Sequence, residues 1–377
     1  MCSESKTWLV LSLLILVVNY NQNCVHGEPQ VPCLFIFGDS LSDNGNNNNL
    51  ATSAKSNFKP YGIDFPAGPT GRFTNGRTTI DIITQFLGFE NFIPPFANTS
   101  GSDILKGVNY ASGSAGIRDE SGGHRGAHIS LGIQIANHRV IVSQIATKLG
   151  GFEKAKQYLN KCLYYVDIGS NDYINNYFVP EYYPSSAIYT PEQYAEALID
   201  ELTLNLQGLQ DVGARKHVLV GLGSLGCIPI HISDGSCFQD MNNAALIFSE
   251  KLKSLVEQLN KKSPTNPEFI FVNSTTSAII NAVGFTVSTV GCCSSGPYGE
   301  CVPDQSPCTN RREYVFWDEC HTTEAWNLVT ATISYNSSYP DSSYPMNIKQ
   351  FVEQDIKMES EFIKEFISLP GGSCANE

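Results

Sequence analysis

Basic side chains are in short supply: 24 Lys+Arg face 37 Asp+Glu, leaving a net charge of -13 over 377 residues. Such a field repels phosphate backbones and anionic lipid surfaces, which argues against nucleic acid as a partner. No low-complexity linker and no internal repeat interrupts the chain, so its length reads as one domain with inserted loops. No Cys-x-x-Cys pair occurs and no histidine is interleaved among the clustered cysteines, which favours disulfides over a zinc site. Long apolar runs are absent but for Trp8 to Val18, preceded by Lys6 and followed by polar Asn19 to Asn23. That run is too short to span a bilayer comfortably, and its flanks are those of a secretory signal peptide cleaved near Gly27. Residues 1–27 are therefore expected to be a leader and 28–377 one exported domain with no membrane anchor after cleavage.

What is present is an ordinary packed composition, 42% hydrophobic and 16% charged, able to bury a large core. Ten of the 12 cysteines remain beyond the leader, where an oxidising compartment lets them pair. Cys227 lies close to Cys237, and Cys292, Cys293, Cys301 and Cys308 share a Gly-, Ser- and Pro-rich segment; spacing leaves their connectivity open. Three Asn-x-Ser/Thr sequons, at Asn98, Asn273 and Asn336, agree with a glycosylated extracellular product.

Short apolar runs alternate with helical patterns. Cys33 to Phe37, Gly107 to Tyr110, Leu163 to Ile168, His217 to Gly221 and Phe269 to Val272 have the length of buried strands. A helix is predicted from Thr190 as N-cap, with Pro191 at its first position, Gln193 completing a capping box and Gly213 at its end. Another is predicted over Met241 to Lys262, with Leu252, Val256 and Leu259 on one face. Strands separated by helices imply right-handed βαβ units, hence an α/β, doubly wound fold with a parallel sheet covered on both faces.

In an open parallel sheet the ligand site lies outside the carboxyl ends of the strands. Ser40 follows the first run, Gly113 the second, Asn171 the third, and Asp318 and His321 the run Tyr314 to Trp317, so the fold alone brings these polar residues to one rim. They are the parts that acyl transfer needs. A serine hydroxyl is a weak nucleophile until a neutral imidazole takes its proton, and the imidazole needs an acid on its other nitrogen. Ser40, His321 and Asp318 fit those roles, with oxyanion donors from the Ser40 and Gly113 amides and the Asn171 side chain. None of this chemistry calls for a metal or cofactor. Of the seven histidines only His321 has an acid three positions before it. His124 and His128 have ligand-like i, i+4 spacing, but Gly122, Gly123 and Gly126 argue against a helix there and no third ligand is apparent.

Gly38-Asp-Ser-Leu41, followed by Ser42-Asp-Asn-Gly45, resembles the first block of the GDSL esterase/lipase family of the SGNH hydrolase superfamily. Asn109 to Ile117 resembles its glycine block, Ile168 to Tyr173 its asparagine block and Asp318 to His321 its Asp-x-x-His block, all in order. Gly71 to Arg77, Gly221 to Pro229 and Gly291 to Tyr298 resemble segments of the plant branch, and the likeness runs from about Val31 to Met346. The resemblance implies a three-layer α/β/α sandwich with a mainly parallel, flavodoxin-like sheet. It implies a secreted carboxylic ester hydrolase, esterase or lipase, acting on a small-molecule, lipid or carbohydrate ester through an acyl-serine. Ser40 carries over as nucleophile and oxyanion donor, Gly113 and Asn171 as oxyanion donors, His321 as base and Asp318 as its orienting acid. The chain departs from the plant pattern at Ser114, where a second glycine is usual, at Thr322, where proline is usual, and at Cys320, where an aromatic residue is common.

Other readings share these residues. Acyl transfer to an alcohol differs only in what attacks the acyl-enzyme, and a decayed binding or defence glycoprotein would retain the fold alone. Cys320 reads as a packed thiol, a disulfide partner or a redox-sensitive group, in that order. Tyr173, Tyr177, Tyr182, Tyr183 and Tyr189 line a cleft in one reading and brace a packed loop in the other.

Overall fold

The computed structural model describes residues 28–99, 103–261, 266–274, 284–337, 339 and 341–354; the expected leader and Cys374 lie outside them. The five apolar runs all form strands: β1 (Leu34–Gly38), β2 (Gly107–Asn109), β3 (Leu163–Asp167), β4 (Lys216–Val220) and β5 (Phe269–Val272). They pair in the order β2-β1-β3-β4-β5, every pair parallel. This is the flavodoxin-like order, whose topological switch point falls between β1 and β3.

Apolar side chains run almost unbroken along these strands because both faces of the sheet are buried. On one face Phe35, Phe37, Tyr164, Val166, Leu219, Phe269 and Phe271 pack against helices α2 (Leu131–Leu149), α3 (Phe152–Leu159), α4 (Pro191–Asp211) and α5 (Gln239–Asn260). On the other, Leu34, Ile36, Leu163, Tyr165, Val218, Val220, Ile270 and Val272 meet α1 (Thr79–Phe86), α6 (Glu324–Asn336) and Ile348 to Val352. The alternation of side chains along each strand thus divides one apolar run between two cores.

Helix α4 begins as predicted, with the Thr190 and Gln193 side chains each accepting the other's backbone N–H. The predicted second helix runs two residues earlier at each end. Two features were not foreseen. The two-residue strand β8 (Ser343–Tyr344) joins β5 antiparallel, too short to leave a periodic signature. The run Tyr314 to Trp317 does not enter the main sheet; its strand β7 (Tyr314–Phe316) pairs in parallel with β6 (Val287–Gly291), apart from the other six. Strand β6 is only half-buried and lacks the apolar run by which the other strands were read.

Disulfides join Cys227–Cys237, Cys292–Cys308 and Cys293–Cys301, within the two clusters read from sequence, and Cys33–Cys162. The last links the residues that precede β1 and β3, whose first positions pair directly. Cys292, Cys293 and Cys301 form a separate apolar cluster with Tyr61 and Trp317, which anchors the loop carrying Asp318 and His321.

Candidate active site

Strand β1 ends where Gln134 of α2 grips Gly38 twice, accepting its N–H at 2.9 Å and donating to its carbonyl at 2.8 Å. Gly38 can hold no side chain, since a Cβ there would lie 2.6 Å from the Asp167 carbonyl of β3. The chain then turns at once: Asp39 Oδ1 accepts the Leu41 N–H at 2.9 Å, and the Asp39 carbonyl accepts those of Ser42 and Asp43. The turn leaves Ser40 half-buried at the rim, and no acceptor among the described residues takes its amide.

His321 Nε2 lies 2.8 Å from Ser40 Oγ, across 281 positions of sequence, and His321 Nδ1 lies 2.7 Å from Asp318 Oδ2. Asp318 is fully buried and His321 is 8% exposed. Asp318 Oδ1 accepts the amides of Cys320 and His321 at 2.8 and 2.6 Å, so the carboxylate and imidazole are fixed by one tight turn. That turn closes where the Trp317 N–H meets the His321 carbonyl at 2.7 Å and Phe316 bridges Thr322. Thr322, standing at the usual proline position, donates to Asn327 Oδ1 at 2.6 Å, and Asn327 donates in turn to the Arg77 carbonyl at 2.9 Å. A side-chain hydrogen bond thereby braces the loop. The Phe73 ring packs on the imidazole, centroids 4.8 Å apart.

Asn171 follows β3 in a short helical turn and donates one amide hydrogen to the Ala115 carbonyl at 3.0 Å, while its Oδ1 accepts from Asn175 at 2.6 Å. These contacts fix the amide plane and leave its second hydrogen without an acceptor among the described residues. Ser40, His321 and Asn171 border a common cavity of about 370 Å³, which Leu41, Ile174, Leu222 and Trp326 make largely apolar. Gly113 is placed differently from expectation. Its amide donates to Asp43 Oδ2 at 3.1 Å, it does not border the cavity, and a Cβ there would lie 2.8 Å from Phe73. Ser114 adopts a left-handed φ of 64°, the conformation that favours glycine, and its buried hydroxyl has no partner among the described residues.

Several supporting residues escaped the sequence reading. Asp43 accepts the amides of Gly45, Asn46 and Gly113, and Asp172 accepts those of Ile117 and Arg118 together with the Ser121 hydroxyl. Each buried carboxylate sews one loop of the rim to another. Burial pushes both up to about 6. Asp39 is raised further, to about 8, by burial and the nearby charge of Asp167.

Cys320 is unpaired among the described residues, half-buried and on the wall of the cavity; burial and then Asp318 drive its thiol well above the ordinary value. None of the five tyrosines borders the cavity: Tyr173, Tyr177 and Tyr183 are buried and Tyr177 donates to the Tyr189 carbonyl, as a braced loop requires. His124 bonds and packs with Tyr183 and Tyr182, whereas His128 faces the carbonyls of Gly126 and Asp119. Among the described residues no three His, Cys, Asp or Glu side chains are grouped to hold a metal ion, and no helix is long and apolar enough to cross a membrane.

A flavodoxin-like sheet with Ser40, His321 and Asp318 gathered at its rim fits a hydrolase, and the relatives of the chain are named as hydrolases too. The family described as GDSL-like lipase/acylhydrolase matches residues 34–332, and the chain belongs to it. Two Arabidopsis thaliana proteins, each named a GDSL esterase/lipase, are 46% and 44% identical to it over 358 and 364 residues. The alignments span 92% and 93% of this chain and 98% and 99% of those proteins. The protein is a carboxylic ester hydrolase.

Proposed function

We propose that the protein is a secreted serine esterase or lipase in which Ser40 attacks the ester carbonyl, His321 takes and later returns the proton, and Asp318 orients the imidazole and balances its charge. The observation that carries this reading is the unbroken chain from Ser40 Oγ through both nitrogens of His321 to Asp318 Oδ2, at 2.8 and 2.7 Å. The Ser40 amide and the free hydrogen of Asn171 Nδ2 serve as oxyanion donors, each of a kind whose removal typically costs about 3 kcal/mol of barrier. Gly113 is carried as a third donor by the family resemblance; its amide is held by Asp43, and its missing side chain admits the Phe73 ring. The alcohol leaves first, carrying the proton from His321; water then attacks the acyl-serine with His321 again as base.

Export is supported by the signal-like leader and by four disulfides, which persist in oxidising compartments. Asn98 and Asn336 are exposed, while the Asn273 amide is half-buried and donates to the Asp341 carbonyl at 3.3 Å; all three are proposed glycan acceptors. The test is Ser40→Ala, which should abolish hydrolysis of a short-chain aryl ester with the unfolding midpoint unchanged. Full turnover by that variant would end the assignment.

A further inference from the structure

Among the described residues Asp318 accepts four hydrogen bonds, and only three come from its own turn. The fourth is the Tyr61 hydroxyl, 2.6 Å from Oδ2 and 257 positions away in sequence. The same hydroxyl accepts the Cys301 N–H at 3.1 Å. An amide only donates and a phenol has one proton, so that proton points at Asp318. Burial, followed by the charge of Asp318, holds the phenol far above its ordinary value and keeps it a donor.

The surroundings of Tyr61 are built rather than incidental. The side chain is fully buried, edge-on to Phe58 and to Phe73, the ring that packs on His321. Cys301 is fixed by its bond to Cys293, whose N–H donates at 2.9 Å to the carbonyl of Trp317, the residue before Asp318. Tyr61 therefore reaches the site by two routes, through the acid and through the ring beside the base.

We infer that Tyr61 is a positioning residue of the hydrolytic site, holding Asp318 Oδ2 in line with His321 and moderating that oxygen's pull on the imidazole. This rests on the proposed roles of Ser40, His321 and Asp318. Oδ2 divides its electron density between Tyr61 O–H and His321 Nδ1–H. Without the phenol, all of it faces the imidazole and favours the protonated ring, so the acid limb of the rate profile must move to higher pH. The other groups facing His321 and Asp318 are Asp39 from the end of β1, Arg125 from the loop before α2, and Glu319 and Cys320 in the turn itself. Tyr61→Phe leaves all of them in place.

The experiment measures kcat and KM for a short-chain aryl ester against pH in the full chain. Tyr61→Phe should lower kcat about tenfold with KM unchanged, and raise the acid limb by about half to one pH unit. Replacing Tyr61 alone by 3-fluorotyrosine, similar in size but a stronger donor, should move the limb the other way, and decides the matter by itself if the Phe variant does not fold. A limb that stays put, whatever the loss of rate, would reduce Tyr61 to packing and overturn the inference. Turnover that survives Ser40→Ala would instead defeat the hydrolytic reading, so the two failures are distinguishable.

Discussion

Ser114 carries a side chain through a left-handed turn and buries a hydroxyl with no partner among the described residues. Both are unfavourable, and glycine removes both. Against the entropy glycine adds to the unfolded chain, Ser114→Gly should still raise unfolding stability by about 1 kcal/mol, read from the denaturant midpoint. A loss of stability would show that the hydroxyl has a role the contacts do not reveal. His217 makes a second residue-level prediction. It is fully buried, stacked on Phe269 at 4.3 Å, and burial lowers it from 6.5 to about 3. The unfolded chain therefore takes up this proton below pH 6.5 while the folded chain resists until about pH 3, so the contribution to stability is complete above 6.5 and is lost as pH falls through that window. His217→Phe keeps the stack and removes the titration. Its stability relative to wild type should climb by up to about 1.4 kcal/mol per pH unit on acidification between those limits. A pH-independent difference would contradict the burial argument.

At the level of elements, the site is an assembly of loops that leave strands at one edge. Ser40, Asn171 and His321 were legible because each follows an apolar run, and hydrophobic pattern is the strongest signal a single sequence carries. The contacts that hold the loops were not, because they are long-range polar bonds with no periodicity: Asp43 to Gly113, Asp172 to Ile117, Tyr61 to Asp318. Strand β7 shows the same limit from the other side. Its apolar run correctly announced a strand, yet nothing in the run said which sheet it joins. The loop Gly71 to Arg77 supplies the test at this scale. Arg72 forms a buried, bidentate pair with Asp81 at 2.6 and 2.9 Å and stacks on Phe65, while Asp81 also caps α1. Asp81→Asn retains the cap acceptor and strands the guanidinium, which should cost about 3 kcal/mol of stability and lower kcat through the adjoining Phe73. Adding Arg72→Met should restore much of the stability. No recovery in the double variant would mean that the pair is not the main brace.

For the whole molecule, the α/β/α sandwich was legible because the run of apolar strands and intervening helices leaves few alternatives once handedness is imposed. The cross-links were legible only in part. Two clusters were visible as neighbours in sequence, but Cys33 and Cys162 lie 129 residues apart and become neighbours only through the pairing of β1 with β3. Closing so long a loop constrains the unfolded chain strongly. Replacing both cysteines by alanine should cost about 4 kcal/mol, measured by chemical unfolding, and a change below 1 kcal/mol would show the fold to be independent of the bond. Protein recovered from a secreting eukaryotic host should lose mass on enzymatic removal of N-linked glycans, and Asn98→Gln and Asn336→Gln should each remove part of that loss; an unchanged mass would count against the proposed export route.

The central claim is that Ser40 becomes a nucleophile because His321 stands 2.8 Å away with Asp318 behind it. Its most direct measurement is peptide mass mapping after exposure to a fluorophosphonate. One adduct is expected, on Ser40, formed by the wild-type protein and not by His321→Ala. An adduct on another residue accompanied by loss of activity, or labelling of Ser40 that is indifferent to His321, would contradict it.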